Sequence, residues 1–166
     1  ASDVYKRQVQ PMEEAVEALE EADLIVLGPG SLYTSVLSNL CVPGIGQAIV
    51  ESLAPKVYVS NVMTQHGETD HFDVMDHVNA IHRHMDTKFI DYVICCINHD
   101  YSKEILENYR KEHAEPVKYH KEEIEAAGIV PLTADDLVHI SDKNRVRHNT
   151  TRLSRMIYEL ALDLTS

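Results

Sequence analysis

A chain of 166 residues with 44% hydrophobic content is long enough for one domain of ordinary size with a real core. Its formal net charge of -12, from 15 Lys and Arg against 27 Asp and Glu, argues against a nucleic-acid partner, because phosphate backbones are held by clustered cations. No stretch approaches the roughly 20 apolar residues of a membrane span. No signal peptide is read, and 3 cysteines without a spacing motif fit a reducing compartment, so a cytoplasmic location is expected.

In chain order, Ala1 to Gln8 show no period and are read as a non-native or disordered leader, with residues 9–166 forming one domain. Pro11 suits a first helical position, and Ala15, Val16, Ala18, Leu19 and Ala22 recur at helical spacing among glutamates. Leu24 to Leu27 reads as a buried strand ended by Gly28-Pro29-Gly30. Short helices are expected over Leu32–Leu40 and Ile45–Leu53, and a strand over Lys56–Asn61. A polar loop follows from Met63 to His71. Asp73 can cap a helix through Met85 with Val74, Val78, Ile81 and Met85 on one face.

Ile90 to Ile97 is the longest apolar run and the candidate central strand. Adjacent Cys95 and Cys96 would point to its opposite faces, both as core residues. Ser102 caps a helix carrying Ile105, Leu106 and Tyr109, which Pro116 ends. Val117–Tyr119 reads as a strand, Glu122–Ala127 as a helix stopped by Gly128, and Ile129–Leu132 as a strand. A polar stretch runs to His148, and Asn149 or Thr150 caps a closing helix with Leu153, Met156, Ile157, Leu160 and Leu164 inward. Strands alternating with helices imply an α/β fold: a Rossmann-like, open, mostly parallel sheet with helices on both faces.

In such sheets ligands sit beyond the C-terminal strand ends, where helix N-termini offer unpaired N–H groups. Gly28 and Gly30 permit close backbone approach, and Ser31, Thr34 and Ser35 carry hydroxyls. The segment reads either as a cradle for a phosphorylated ligand or as a tight turn with an ordinary Ser cap. It is neither a Walker loop nor the dinucleotide fingerprint.

The string Gly28-Pro29-Gly30-Ser31-Leu32-Tyr33-Thr34-Ser35-Val36-Leu37, followed by Asn39-Leu40, resembles a signature of the YvcK branch of the CofD-like superfamily. So do Val59-Ser60-Asn61-Val62-Met63-Thr64-Gln65, the following Gly67-Glu68-Thr69-Asp70 and Asp76-His77-Val78, and the pair Arg147-His148. The resemblance runs from about Pro11 onward and covers the C-terminal half of that family. The family's leading Gly-Gly-Gly-Thr-Gly turn has no counterpart here, so the domain is expected to be truncated at its N-terminus. Ser38 stands where Pro is common, His66 where Pro is frequent, and Asn149 where Asp usually follows Arg-His.

The resemblance implies a UDP-sugar-binding regulator, with UDP-N-acetylglucosamine as the expected ligand, linked to gluconeogenic growth, cell shape and envelope synthesis. The alternative it carries is a 2-phospho-L-lactate transferase of cofactor F420 synthesis. The ligand-binding candidates are Gly28, Gly30, Ser31, Leu32, Tyr33, Thr34, Ser35, Asn61, Thr64, Tyr109, Arg147 and His148. Arg147 could pair with a diphosphate, and Tyr109 is either a base-stacking ring or core. Glu68 or Asp70 could take a sugar hydroxyl or Mg²⁺.

No catalytic residue is assigned, because Ser31 lacks the nucleophile elbow and no Cys has a nucleophile setting. The histidines of 66–84 lack metal-site spacing and read as a solvated face with capping histidines. Missing leading strands would expose a sheet edge and an apolar face, so the chain is expected to be marginally stable or to self-associate.

Overall fold

The computed structural model describes residues 13–166. The leader and Pro11 lie outside the described residues. Helix α1 (Glu13–Glu20) precedes strand β1 (Ile25–Leu27). A π-helical segment (Leu32–Leu37) runs into α2 (Ser38–Leu40), and α3 (Ile45–Glu51) leads to β2 (Lys56–Val59). Then come α4 (Val74–Met85), β3 (Tyr92–Cys95), α5 (Lys103–Lys111), α6 (Lys121–Ala126) and β4 (Val130–Thr133). The short strands β5 (Val138–Ile140) and β6 (Val146–His148) precede the closing helix α7 (Thr150–Thr165).

The four leading strands form a parallel sheet in the order β1-β2-β3-β4. Its register places Leu27 beside Tyr58 and Tyr58 beside Val93. The period of two then sorts side chains to two faces. Leu27, Tyr58, Val93 and Cys95 join a core with Leu32, Val78, Ile81 and Ile124. Val57, Val59, Ile94 and Cys96 join a second core with Ile105, Tyr109, Leu153, Met156 and Leu160. The two adjacent cysteines therefore do divide between faces, and both are buried. Helices cover both sides, so the fold is α/β and Rossmann-like.

Local chemistry sets the helix ends. Asp73 accepts from the Asp76 N–H at 2.8 Å while Asp76 accepts from the Asp73 N–H at 3.0 Å, a reciprocal capping box. Ser102 and Asn149 each accept from the backbone N–H three residues on, at Ile105 and Arg152. Gly128, at φ +78°, follows α6 as expected of a helix stop.

Three expectations are corrected. Val117–Tyr119 is not a strand: Pro116 makes a single antiparallel bridge to Met63, and the Val117 N–H donates to the Val62 carbonyl at 2.9 Å. Its partner is a loop, so no ladder extends from it. The polar stretch before α7 is not all loop, because β5 and β6 pair antiparallel within it. Of the α4 histidines only His84 is on a solvated face. His77 is fully buried, and buried His82 accepts from the Phe89 and Ile90 N–H groups at 3.3 and 3.2 Å.

Candidate functional site

The C-terminal ends of β1 and β2 open onto a cavity of about 550 Å³. Its walls come from residues 29–31 after β1, residues 61–66 after β2, the end of α5 with the residues after it, and residues 145–148 at β6. The volume lies in the range of small-molecule sites, and the position is where open α/β sheets bind ligands.

The glycine turn is shaped by close approach. Gly28 has φ +86°, and a Cβ there would lie 3.0 Å from the Val59 carbonyl oxygen of β2. A Cβ on Gly30 would lie 3.0 Å from Ser35 Cβ, so the turn folds back on the helical segment it starts. The Ser35 and Val36 N–H groups both donate to the Ser31 carbonyl at 3.0 Å, as in a π-turn. Ser31 does not cap that segment with its hydroxyl. It donates instead to Glu68 Oε2 at 2.9 Å, tying the glycine turn to the loop after β2.

That loop is itself anchored. The Thr64 N–H donates to the Glu115 carbonyl at 2.8 Å, and the Glu115 N–H donates to Thr64 Oγ1 at 3.0 Å. Thr64 lines the cavity with its hydroxyl already holding the connection after α5. The Asn61 side chain lines it without a hydrogen-bond partner among the described residues, leaving donors and an acceptor for a ligand.

The third wall joins α5 to the β5–β6 hairpin. Tyr109 is buried, and its hydroxyl accepts from the Val146 N–H at 2.9 Å. The Arg145 guanidinium lies 4.8 Å from the Tyr109 ring centroid, and its Nη1 donates to both Glu112 carboxylate oxygens at 2.8 Å. That Glu112 bond raises the arginine's pKa further. Arg147 is exposed on the same wall, with no carboxylate partner among the described residues. His148 Nε2 is buried without a partner, and burial lowers the ring's pKa despite a bond to the Ser60 backbone. Burial thus favours the neutral form of His148, and the permanent positive charges lining the cavity are those of Arg145 and Arg147.

The structure thus brings Gly30, Ser31, Asn61, Thr64, Tyr109, Arg147 and His148 to one cavity. It does not bring all of the turn there. The Leu32 side chain is fully buried in the core, and Tyr33 and Thr34 are exposed away from the cavity wall. Gly28 and Ser35 line a separate cleft of about 320 Å³ beside Val26 and Asn39. The physical reason is the helical start at Leu32, which turns one side chain inward and the next two outward.

Sequence reasoning missed Arg145 and Glu112 as parts of the site. A turn signal was present in Asp142-Lys143-Asn144, with Asn144 at φ +54°, and it would have paired the flanking segments. The carboxylates named for a sugar hydroxyl or Mg²⁺ already carry hydrogen bonds within the protein. Glu68 is bonded to Ser31, Asp70 is bonded to His66 and the Gly67 N–H, and no group of three or more His, Cys, Asp or Glu is placed to hold a metal ion among the described residues.

A parallel sheet with helices on both faces, a glycine turn and a cavity at its C-terminal edge defines an α/β protein of Rossmann-like fold, and comparison gives the family. Residues 2–137 match the family model described as 2-phospho-L-lactate transferase CofD, so the chain belongs to the CofD family. Within it, the chain is similar to proteins called gluconeogenesis factor. It is 40% identical over 153 residues to the one from Bacillus subtilis (strain 168), covering 92% of this chain and 47% of that protein. It is 42% identical over 153 residues to the one from Halalkalibacterium halodurans, with the same coverage. A crystal structure of a UPF0052 family member from Bacillus halodurans matches with TM-score 0.84 at 41% identity, over 92% of this chain and 48% of that one. The chain spans about half the length of these relatives.

Proposed function

We propose that the cavity at the ends of β1 and β2 binds a nucleotide sugar, a UDP-sugar with UDP-N-acetylglucosamine as the first candidate, and that the protein is a regulator rather than a catalyst. The observation that carries this is charge. A chain of net charge -12 places two arginines and one carboxylate around a cavity otherwise lined by neutral groups and histidines. That excess of positive charge suits an anionic ligand of diphosphate type. Gly30 lets the ligand approach the turn's backbone. Asn61 and His148 offer hydrogen bonds to its polar groups, and Arg147 is a free fork for phosphate oxygens. The name carried by its relatives supports a link to gluconeogenic growth; roles in cell shape and envelope synthesis belong to the same reading, as does a cytoplasmic location.

The test is calorimetric titration of the full-length gene product with UDP-N-acetylglucosamine. Saturable binding is expected, and Arg147→Gln weakens it about tenfold or more, the factor that follows from losing one hydrogen bond to a charged group. Arg110→Gln serves as the control, since Arg110 pairs with Glu107 on α5 away from the cavity. Absence of heat with the wild type overturns the reading.

A second reading rests on the description of the matching family model. There the same cradle would hold the diphosphate of a lactyl-diphospho-nucleoside while an acceptor hydroxyl takes the phospho-lactate group, the P–O–P bond breaks and the nucleoside monophosphate leaves. Turnover of that substrate, with no binding of the sugar nucleotide, would favour it.

A further inference from the structure

Among the charged residues lining the cavity, Glu112 is the single carboxylate, and it does not face solvent alone. Both its oxygens lie 2.8 Å from Arg145 Nη1, on a guanidinium that also rests over the Tyr109 ring. Arg145 is fixed at its backbone: its N–H donates to Ser141 Oγ and its carbonyl accepts from the Ser141 N–H within the hairpin. The next residue, Val146, is tied to the Tyr109 hydroxyl. The backbone under Arg145 is therefore held, while its side chain is committed through one nitrogen only. The Nε and Nη2 donors make no hydrogen bond among the described residues.

The pair is also partly open to water, with side-chain exposures of 36% for Arg145 and 52% for Glu112. Ion pairs this exposed hold weakly, because solvent screens them and two long side chains lose freedom to form them. A phosphate oxygen at the same wall offers the guanidinium a stronger, more highly charged partner than a carboxylate. Arg147 lies two residues away with no carboxylate partner. The wall thus carries one arginine that is ready for an anion and one that is occupied by an internal anion.

We propose that Glu112 is an internal competitor for the anionic ligand, holding Arg145 against Tyr109 until a diphosphate group displaces the carboxylate and takes the guanidinium. The proposal rests on the anionic-ligand reading above and adds the specificity-setting step to it. Exchange needs no backbone motion, since only the two side chains change partners. Tyr109 stays in place as the platform, so the guanidinium keeps its stacking contact while its hydrogen bonds pass from carboxylate to phosphate. Glu112 has a second effect: once displaced, its negative charge remains near the site and opposes the ligand.

The experiment is a double-mutant cycle read by calorimetry with two probes, UDP-N-acetylglucosamine and inorganic diphosphate, on the full-length gene product. Glu112→Gln removes the competitor and tightens binding of both probes by about two- to fivefold, the factor to which an exposed pair of roughly 0.4 to 1 kcal/mol converts. Arg145→Gln weakens both probes. In the Arg145→Gln background, adding Glu112→Gln gives a gain distinctly smaller than in the wild type, because no guanidinium remains to be released. If the wild type binds but Glu112→Gln leaves affinity unchanged or weakens it, the competitor role is wrong while the anion site stands. If neither probe binds the wild type or Glu112→Gln, the anion site itself is overturned and this inference with it. An equal gain from Glu112→Gln with and without Arg145 reduces Glu112 to a general charge effect and also overturns the exchange.

Discussion

Gly28 shows how a single backbone position fixes the geometry between strand and site. At φ +86° it occupies a region that costs L-residues strain, and the added methyl group would press on the Val59 carbonyl at 3.0 Å. Gly28→Ala therefore combines conformational strain with a steric contact against the backbone of β2. A loss of about 1 to 3 kcal/mol in unfolding free energy is expected, read from the urea midpoint. The local turn was legible in the sequence because Gly-Pro-Gly after an apolar run has few other meanings. The placement of individual side chains was not. Leu32, Tyr33, Thr34 and Ser35 are consecutive and chemically plausible, yet the helical start sends them in different directions. The backbone path that decides this depends on Val36 and Leu37 finding the core, a tertiary event.

At the scale of elements, the strongest signals were those set by local chemistry. Asp73 with Asp76, Ser102, Asn149 and Gly128 each carry a boundary in their own hydrogen bonds or backbone angle, so α4, α5, α7 and the end of α6 were readable. The hairpin β5–β6 was not, because two three-residue strands containing His and Arg have no period long enough to detect. What holds it is the Tyr109 hydroxyl on Val146 and the burial of Val146 itself, contacts supplied by α5 from 37 residues away. This is also why the Arg145 half of the site was missed while the Arg147 half was found.

The connection between α4 and β3 gives a further element-scale prediction. His82 Nε2 accepts from two backbone N–H groups, of Phe89 and Ile90, both buried. His82→Leu keeps apolar volume but leaves both donors unpaired in the interior. A destabilisation of about 2 to 4 kcal/mol is expected, seen as a lower thermal or urea midpoint. A variant as stable as the wild type would show that solvent reaches those groups.

For the molecule as a whole, burial of histidines ties stability to pH. His77, His82, His99 and His148 all have pKa values lowered from 6.5, in each case chiefly by desolvation. His77 is the clearest case: Nδ1 is 2.7 Å from the Asp73 carbonyl and Nε2 is buried with no partner. The hydrogen bond to the Asp73 carbonyl, together with the charges of Asp76 and Asp73, favours the protonated ring, but less than burial disfavours it. The folded protein thus prefers neutral imidazoles. Below pH 6.5 the unfolded chain binds protons that the folded chain does not, so stability falls as pH falls from about 6.5 through the lower folded-state values. Above pH 6.5 the contribution is fully present.

Acidification also reduces the magnitude of the chain's net charge of -12. That relieves self-repulsion and acts in the opposite direction. A wild-type curve alone therefore mixes two effects, and His77→Gln separates them. The amide retains a donor for the Asp73 carbonyl but cannot titrate. Comparing urea midpoints at pH 7.5 and 5.5, the wild type should lose more stability on acidification than His77→Gln, with the difference developing below pH 6.5. Parallel pH profiles for the two proteins would mean that the buried ring is not what links folding to protons, and the burden would pass to His82, His99 and His148.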